Sequence, residues 1–176
     1  MMIPAKFLIL GGARSGKTRH AMRLAEQQPR RIYIATAQAL DDEMRDRIRH
    51  HQAERDTNWV TIEAPIRLAD AISSIENSNN TAIVVDCLTL WLSNLIDINA
   101  NVECETHNLL ESITRTENRL VIVSNEVGLG IVPANALARK FCDMQGHLNQ
   151  RIAKSVDYVD LITAGFVLNL KPGIAR

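Results

Sequence analysis

The segment best suited to do chemistry is Gly11-Gly12-Ala13-Arg14-Ser15-Gly16-Lys17-Thr18. It fits the pattern G-x-x-x-x-G-K-[ST], in which glycines let the backbone curl so that its N–H groups converge on a phosphate. Lys17 can reach the β- and γ-phosphates of a nucleotide, and the Thr18 hydroxyl can ligate Mg²⁺. Lys6-Phe7-Leu8-Ile9-Leu10 before it is an apolar run suited to a buried strand. Thr18 to Gln28 after it reads as a helix with Ala21, Met22, Leu24 and Ala25 for its inner face. The N-terminus of that helix adds partial positive charge. A glycine turn that fits the pattern by chance would not need these flanks. Strand, loop and helix together predict a nucleoside triphosphate site.

Asp86 ends Ala82-Ile83-Val84-Val85-Asp86, the most apolar strand candidate of the chain. An acid in that position holds Mg²⁺ in nucleotide enzymes, directly or through water. Asp also caps helices well, and a helix is expected from Leu88, so the two roles are compatible. Glu126 lies in Ser124-Asn125-Glu126-Val127-Gly128-Leu129-Gly130-Ile131-Val132-Pro133, a loop suited either to meeting substrate hydroxyls or metal-bound water, or to an ordinary surface turn. The helix Asp41 to Arg55 is charged. Met44, Ile48 and His51 share one face, and Arg47, His51 and Arg55 an overlapping one. Arginines beside a histidine favour its neutral, nucleophilic form and suit phosphate. Spacing alone fits equally a solvated charged helix whose histidines do nothing.

The elements that must position these residues alternate along the chain. Strands are expected at Arg31–Ala35, Trp59–Glu63, Ala82–Asp86, Leu120–Ser124, Tyr158–Thr163 and Phe166–Leu170. Helices are expected from Pro65, over Leu88–Ile98, Glu103–Thr116 and Asn135–Ser155. Apolar strands alternating with helices predict an α/β, three-layer fold around a mostly parallel central sheet. Only Ala164-Gly165 separates the last two strands, which predicts an antiparallel C-terminal edge hairpin. Ligands sit at the carboxyl ends of strands in such sheets.

A chain of 176 residues is expected to form one domain spanning 1–176. Aromatics make up 4%, so the core must be aliphatic. A formal net charge of zero argues against a general nucleic-acid or anionic-membrane surface. Cys87, Cys104 and Cys142 are odd in number and widely spaced, which fits reduced thiols rather than a disulfide framework or zinc site. No stretch approaches the ~20 apolar residues of a membrane span, and no leader is evident, so the expected compartment is the cytoplasm.

The chain resembles the bifunctional adenosylcobinamide kinase / adenosylcobinamide-phosphate guanylyltransferase family of cobalamin biosynthesis. The resemblance is carried by Gly11 to Arg19, Tyr33-Ile34-Ala35-Thr36-Ala37, and Asp41-Asp42-Glu43-Met44 with Arg47-Ile48 and His50-His51. It continues through Asn125-Glu126-Val127-Gly128, Gly130-Ile131-Val132-Pro133 and Asn149-Gln150-Arg151. It implies phosphorylation of adenosylcobinamide with ATP or GTP. It also implies transfer of GMP from GTP, by way of a histidine, to adenosylcobinamide phosphate. By the resemblance His51 carries the GMP, Gly11 to Thr18 bind the triphosphate, and Ala35, Thr36 and Ala37 contact the nucleotide. Arg55, Asp56, Thr57, Asn58, Glu63 and Asp86 are further guanine-nucleotide candidates. Thr18 and Asp86 are the expected Mg²⁺ holders, Lys17 and Arg14 the electrostatic stabilisers. The assembly implied is a homo-oligomer, with a trimer expected.

Two departures from the family pattern stand out. Asp56 follows Arg55 where the family often has Arg-Pro, and Asp86 stands where some members have Glu. Two competing readings use the same loop: a kinase of another small hydroxyl compound, and a nucleotide sensor. Neither gives His51 a task.

Overall fold

Strands that are apolar at every position bury both faces, which calls for parallel pairing beneath helices on either side. A computed structural model describes residues 5–39, 41–53 and 57–172, and all their side chains except those of Arg47, His50 and His51. The strands are β1 (Lys6–Gly11), β2 (Arg30–Ala35), β3 (Trp59–Glu63), β4 (Thr81–Asp86), β5 (Arg119–Val123), β6 (Tyr158–Thr163) and β7 (Phe166–Lys171). They form a seven-stranded sheet in the order β3-β2-β4-β5-β1-β6-β7. Pairing is parallel throughout except between β6 and β7. The antiparallel edge hairpin is therefore as the two-residue Ala164-Gly165 link predicts. The helices are α1 (Lys17–Ala25), α2 (Asp42–Ala53), α3 (Leu68–Ser73), α4 (Leu88–Asp97), α5 (Val102–Arg115) and α6 (Ala136–Ser155).

Alternation along the strands sorts the core into two layers. Leu8, Leu10, Ile32, Ile34, Ile83 and Val85 turn to the face covered by Leu68, Trp91, Leu92, Leu109 and Leu148 of α3 to α6. Phe7, Ile9, Tyr33, Val84, Val121 and Ile162 turn to the other, against Ala21 and Ala25 of α1. Alanines at i and i+4 let α1 approach the sheet closely, and this seats the loop before it against the strand ends. Phe7 and Tyr158 stack with centroids 4.7 Å apart, a rare aromatic pair in an aliphatic core.

Two helix boundaries differ from the sequence reading. α1 stops at Ala25 rather than Gln28, because Pro29 disfavours helical geometry in the residue before it. The helix expected from Pro65 starts at Leu68. The intervening segment serves α4 instead: Trp91 Nε1 donates to Ile66 O at 2.8 Å and Asn94 Nδ2 to Pro65 O at 3.0 Å. Among the described residues no helix is long and apolar enough to cross a membrane.

Leu92 is fully buried between the sheet and its covering helices. Leu92→Ala is expected to cost about 2–5 kcal/mol, read as a lower denaturant midpoint with an unchanged slope.

Candidate nucleotide site

Parallel strands deliver their carboxyl ends to one edge, and the candidate residues collect there. Register aligns Ala35 with Glu63 on one side and with Asp86 on the other, and Asp86 with Val123. β1 ends in Gly11, the first residue of the loop. Its φ of +151° and its surroundings exclude a side chain: a Cβ would lie 2.4 Å from Ile162 O and 2.7 Å from Ser15 Oγ. Gly16, at φ +99°, turns the chain into α1. Between them Arg14 holds a left-handed φ of 55°, a conformation that costs a non-glycine residue about 1 kcal/mol or more. Lys17 is 7% exposed. Its Nζ reaches back over the loop to donate to Gly12 O at 2.6 Å, so the ammonium stands within the curl where a phosphate chain would lie.

Thr18 Oγ1 donates to Asp86 Oδ2 at 2.7 Å, and Tyr33 OH donates to the same oxygen at 2.8 Å. Asp86 thus ties α1 and β2 to the end of β4. A hydroxyl that donates its proton keeps its oxygen lone pairs. Thr18 Oγ1 and the Asp86 carboxylate therefore offer hard oxygens of the kind Mg²⁺ prefers. Sequence reasoning missed Tyr33 as a site residue, since a tyrosine inside an apolar strand reads as core.

Thr36 is fully buried. Its hydroxyl donates to Cys87 O at 2.7 Å and accepts from Cys87 N at 2.8 Å, while Asn94 Nδ2 donates to Thr36 O. That side chain holds the chain after β2 to the chain after β4, and Ala35 itself packs, partly buried, against the layer beneath α1. Burial, reinforced by the Asp86 charge, pushes the Cys87 thiol up to about 11.

The loop after β5 is held from below. Glu126 N donates to Gly11 O at 3.0 Å. Asn149 Nδ2 donates to Asn125 O at 3.1 Å, and Ser124, Gln145 and Asn149 join in a buried amide–hydroxyl cluster. Glu126 Oε1 accepts from Gly128 N at 2.7 Å.

Other expected residues stand elsewhere. Thr57 and Asn58 precede β3, whose far end is Glu63. At ~3.3 Å per residue that strand separates them from the carboxyl edge by roughly 17 Å. His51 falls in the last turn of α2, on the path by which the chain returns from the end of β2 to the start of β3. Its side chain, and Arg55 and Asp56 entirely, lie outside the described residues.

The pattern of the cobinamide kinase / cobinamide phosphate guanyltransferase family (CobU) matches residues 7–170. The chain belongs to this family. It is 46% identical over 167 residues to the bifunctional adenosylcobalamin biosynthesis protein CobP of Pseudomonas aeruginosa, covering 93% of this chain and 96% of that relative. It is 38% identical to the protein CobU of Salmonella typhimurium, covering 93% and 98%. In three dimensions it is similar to a Pyrococcus horikoshii protein, PH0250, with a TM-score of 0.53 at 12% identity over 98% of this chain and 88% of that one. A type III secretion ATPase from pathogenic bacteria aligns with a TM-score of 0.59 at 11% identity, over 95% of this chain and 57% of that one. These two likenesses are of fold alone.

Gly11→Ala is expected to lower stability by about 1–3 kcal/mol from overpacking alone and to weaken nucleotide binding, both measurable by unfolding with and without GTP. At pH 8 an alkylating reagent is expected to modify exposed Cys104 and spare buried Cys87. Mass spectrometry of peptides should find Cys87 modified only after unfolding.

Proposed function

We propose that the carboxyl-edge site is the common triphosphate site of the family's two reactions. In one, the hydroxyl of adenosylcobinamide attacks the γ-phosphorus of ATP or GTP, a P–O bond forms as the bond to the β–γ bridging oxygen breaks, and the nucleoside diphosphate leaves while the hydroxyl proton passes to solvent. In the other, neutral His51 attacks the α-phosphorus of GTP. A P–N bond forms, the bond to the bridging oxygen breaks, and pyrophosphate leaves. A phosphate oxygen of adenosylcobinamide phosphate then displaces the histidine, giving adenosylcobinamide-GDP. Covalent catalysis of this kind splits one difficult transfer into two in-line displacements.

The observation that carries this reading is the pair of contacts Lys17–Gly12 and Thr18–Asp86, which preorganise a cation and a hard-oxygen pair around one curl of backbone. Preorganised charge of this kind is the main catalytic device for phosphoryl transfer. Lys17, Arg14 and the loop N–H groups stabilise the charge on the departing phosphates. Thr18 and Asp86 would hold Mg²⁺, which when bound neutralises phosphate charge. Asn125 and Glu126 meet the acceptor. Ala35, Ala37, Glu63 and the 55–58 segment are assigned to the nucleoside.

The whole chain acts as one domain in this reading, as a homo-oligomer in the cytoplasm. Leu129, Ile131 and Val132 are 83%, 97% and 76% exposed, and Phe166 on edge strand β7 is 80% exposed. Apolar surface of that extent favours covering by another copy. A neighbouring subunit can then bring Thr57 and Asn58, which precede β3, to the carboxyl edge of the next copy.

Incubation with Mg²⁺ and GTP labelled at the α-phosphate should leave acid-labile label on the denatured protein. His51→Ala should carry none, and adenosylcobinamide phosphate should discharge it. Absence of label on a native protein that binds GTP would remove the guanylyltransferase half of the reading.

A further inference from the structure

The β6–β7 hairpin grips the phosphate loop and α1 at two points that the chemistry above does not use. At its turn, Gly165 N donates to Ser15 O at 3.0 Å. Partway along β6, Asp160 faces α1. His20 Nε2 lies 3.0 Å from Asp160 Oδ2, and Asn169 Nδ2 of β7 donates to Asp160 Oδ1 at 2.6 Å. A carboxylate has no proton to give, so Nε2 is the protonated nitrogen of His20.

The position of Asp160 makes this contact informative. Strand alternation puts Asp160 on the same face as Tyr158 and Ile162, which pack into the apolar layer beneath α1. An aliphatic residue would serve packing there. Instead a carboxylate is 5% exposed, a placement that is unfavourable unless both oxygens are satisfied. Here both are. Small apolar contacts such as Ala21 and Ala25 hold α1 close to the sheet but fix its rotation weakly. A charge-assisted hydrogen bond is directional and fixes it. His20 sits in the first turn of α1, its N–H bonded to Gly16 O at 3.0 Å, and shares a face with Lys17 at i, i+3.

We propose that His20 and Asp160 are positioning residues for the triphosphate, with Asn169 orienting the carboxylate. Through them the terminal hairpin sets the rotation of α1, and hence where Lys17, Thr18 and the loop N–H groups meet the phosphates. The proposal rests on the reading of loop 11–18 as a triphosphate site.

The test is titration with a fluorescent GTP analogue in Mg²⁺, with unfolding midpoints measured on the same proteins without nucleotide. His20→Ala and Asp160→Ala should each weaken binding about tenfold, the scale of one hydrogen bond to a charged group. The double variant should be no weaker than either single one, because one interaction is removed in all three. His20→Gln, whose Nε2 can donate to the same carboxylate, should recover most of the affinity. Asn169→Ala, the mildest change, should shift affinity in the same direction. Lower stability with unchanged affinity would reduce the cluster to a structural tie and overturn the proposal, as would additive losses or no recovery in His20→Gln. A wild-type protein that does not bind the analogue would overturn the reading of the loop itself, and this proposal with it.

Discussion

One carboxylate oxygen organises the carboxyl edge. Asp86 Oδ2 accepts hydroxyl protons from Thr18 on α1 and Tyr33 on β2 while belonging to β4. Hydrogen bonds to a charged group contribute about 1.5–3 kcal/mol each, enough to index elements that the core cannot. The core is mostly aliphatic on both faces of the sheet, and aliphatic side chains pack well in several neighbouring arrangements. Direction comes from polar ties placed among them: Asp86 to α1 and β2, Thr36 to Cys87, Asn94 to Thr36 and Pro65, Asn149 to Asn125. They converge on the ends of β2, β3, β4 and β5. The scaffold is therefore most tightly specified where a ligand needs fixed geometry.

Much of this was legible in the chain. The loop, its flanking strand and helix, the acid ending the most apolar strand and the terminal hairpin all follow from local pattern. What local pattern reports is burial and turn geometry. It does not say which buried polar residues meet. Tyr33 and Asp86 are 53 positions apart and His20 and Asp160 are 140 apart, and a lone polar residue in an apolar run gives no hint of its partner. The helix expected from Pro65 begins only at Leu68 for the same reason: the residues before it are used by Trp91 and Asn94 of a later helix. The charged helix α2 stayed ambiguous by spacing, because its residues are mostly exposed and a solvated face carries no packing constraint. Resemblance, not periodicity, singled out His51.

The two family activities ask for the same thing from the scaffold. Attack at a γ-phosphorus and attack at an α-phosphorus both build negative charge on the phosphate chain, and in the proposed reading one cradle of N–H groups and Lys17, with Mg²⁺ held by Thr18 and Asp86, would stabilise either. What differs is the nucleophile: a substrate hydroxyl in one case, a side chain in the other. A single-site account is the economical one, and it makes Lys17 indispensable to both.

The most direct measurement is therefore made on Lys17→Ala, assayed side by side for self-guanylylation from GTP and for phosphorylation of adenosylcobinamide, with its unfolding midpoint recorded. The account predicts that both activities fall together, by about a hundredfold or more as preorganised electrostatic groups typically cost, in a protein that remains folded. Survival of either activity at near-normal rate would contradict it and would require a second triphosphate site.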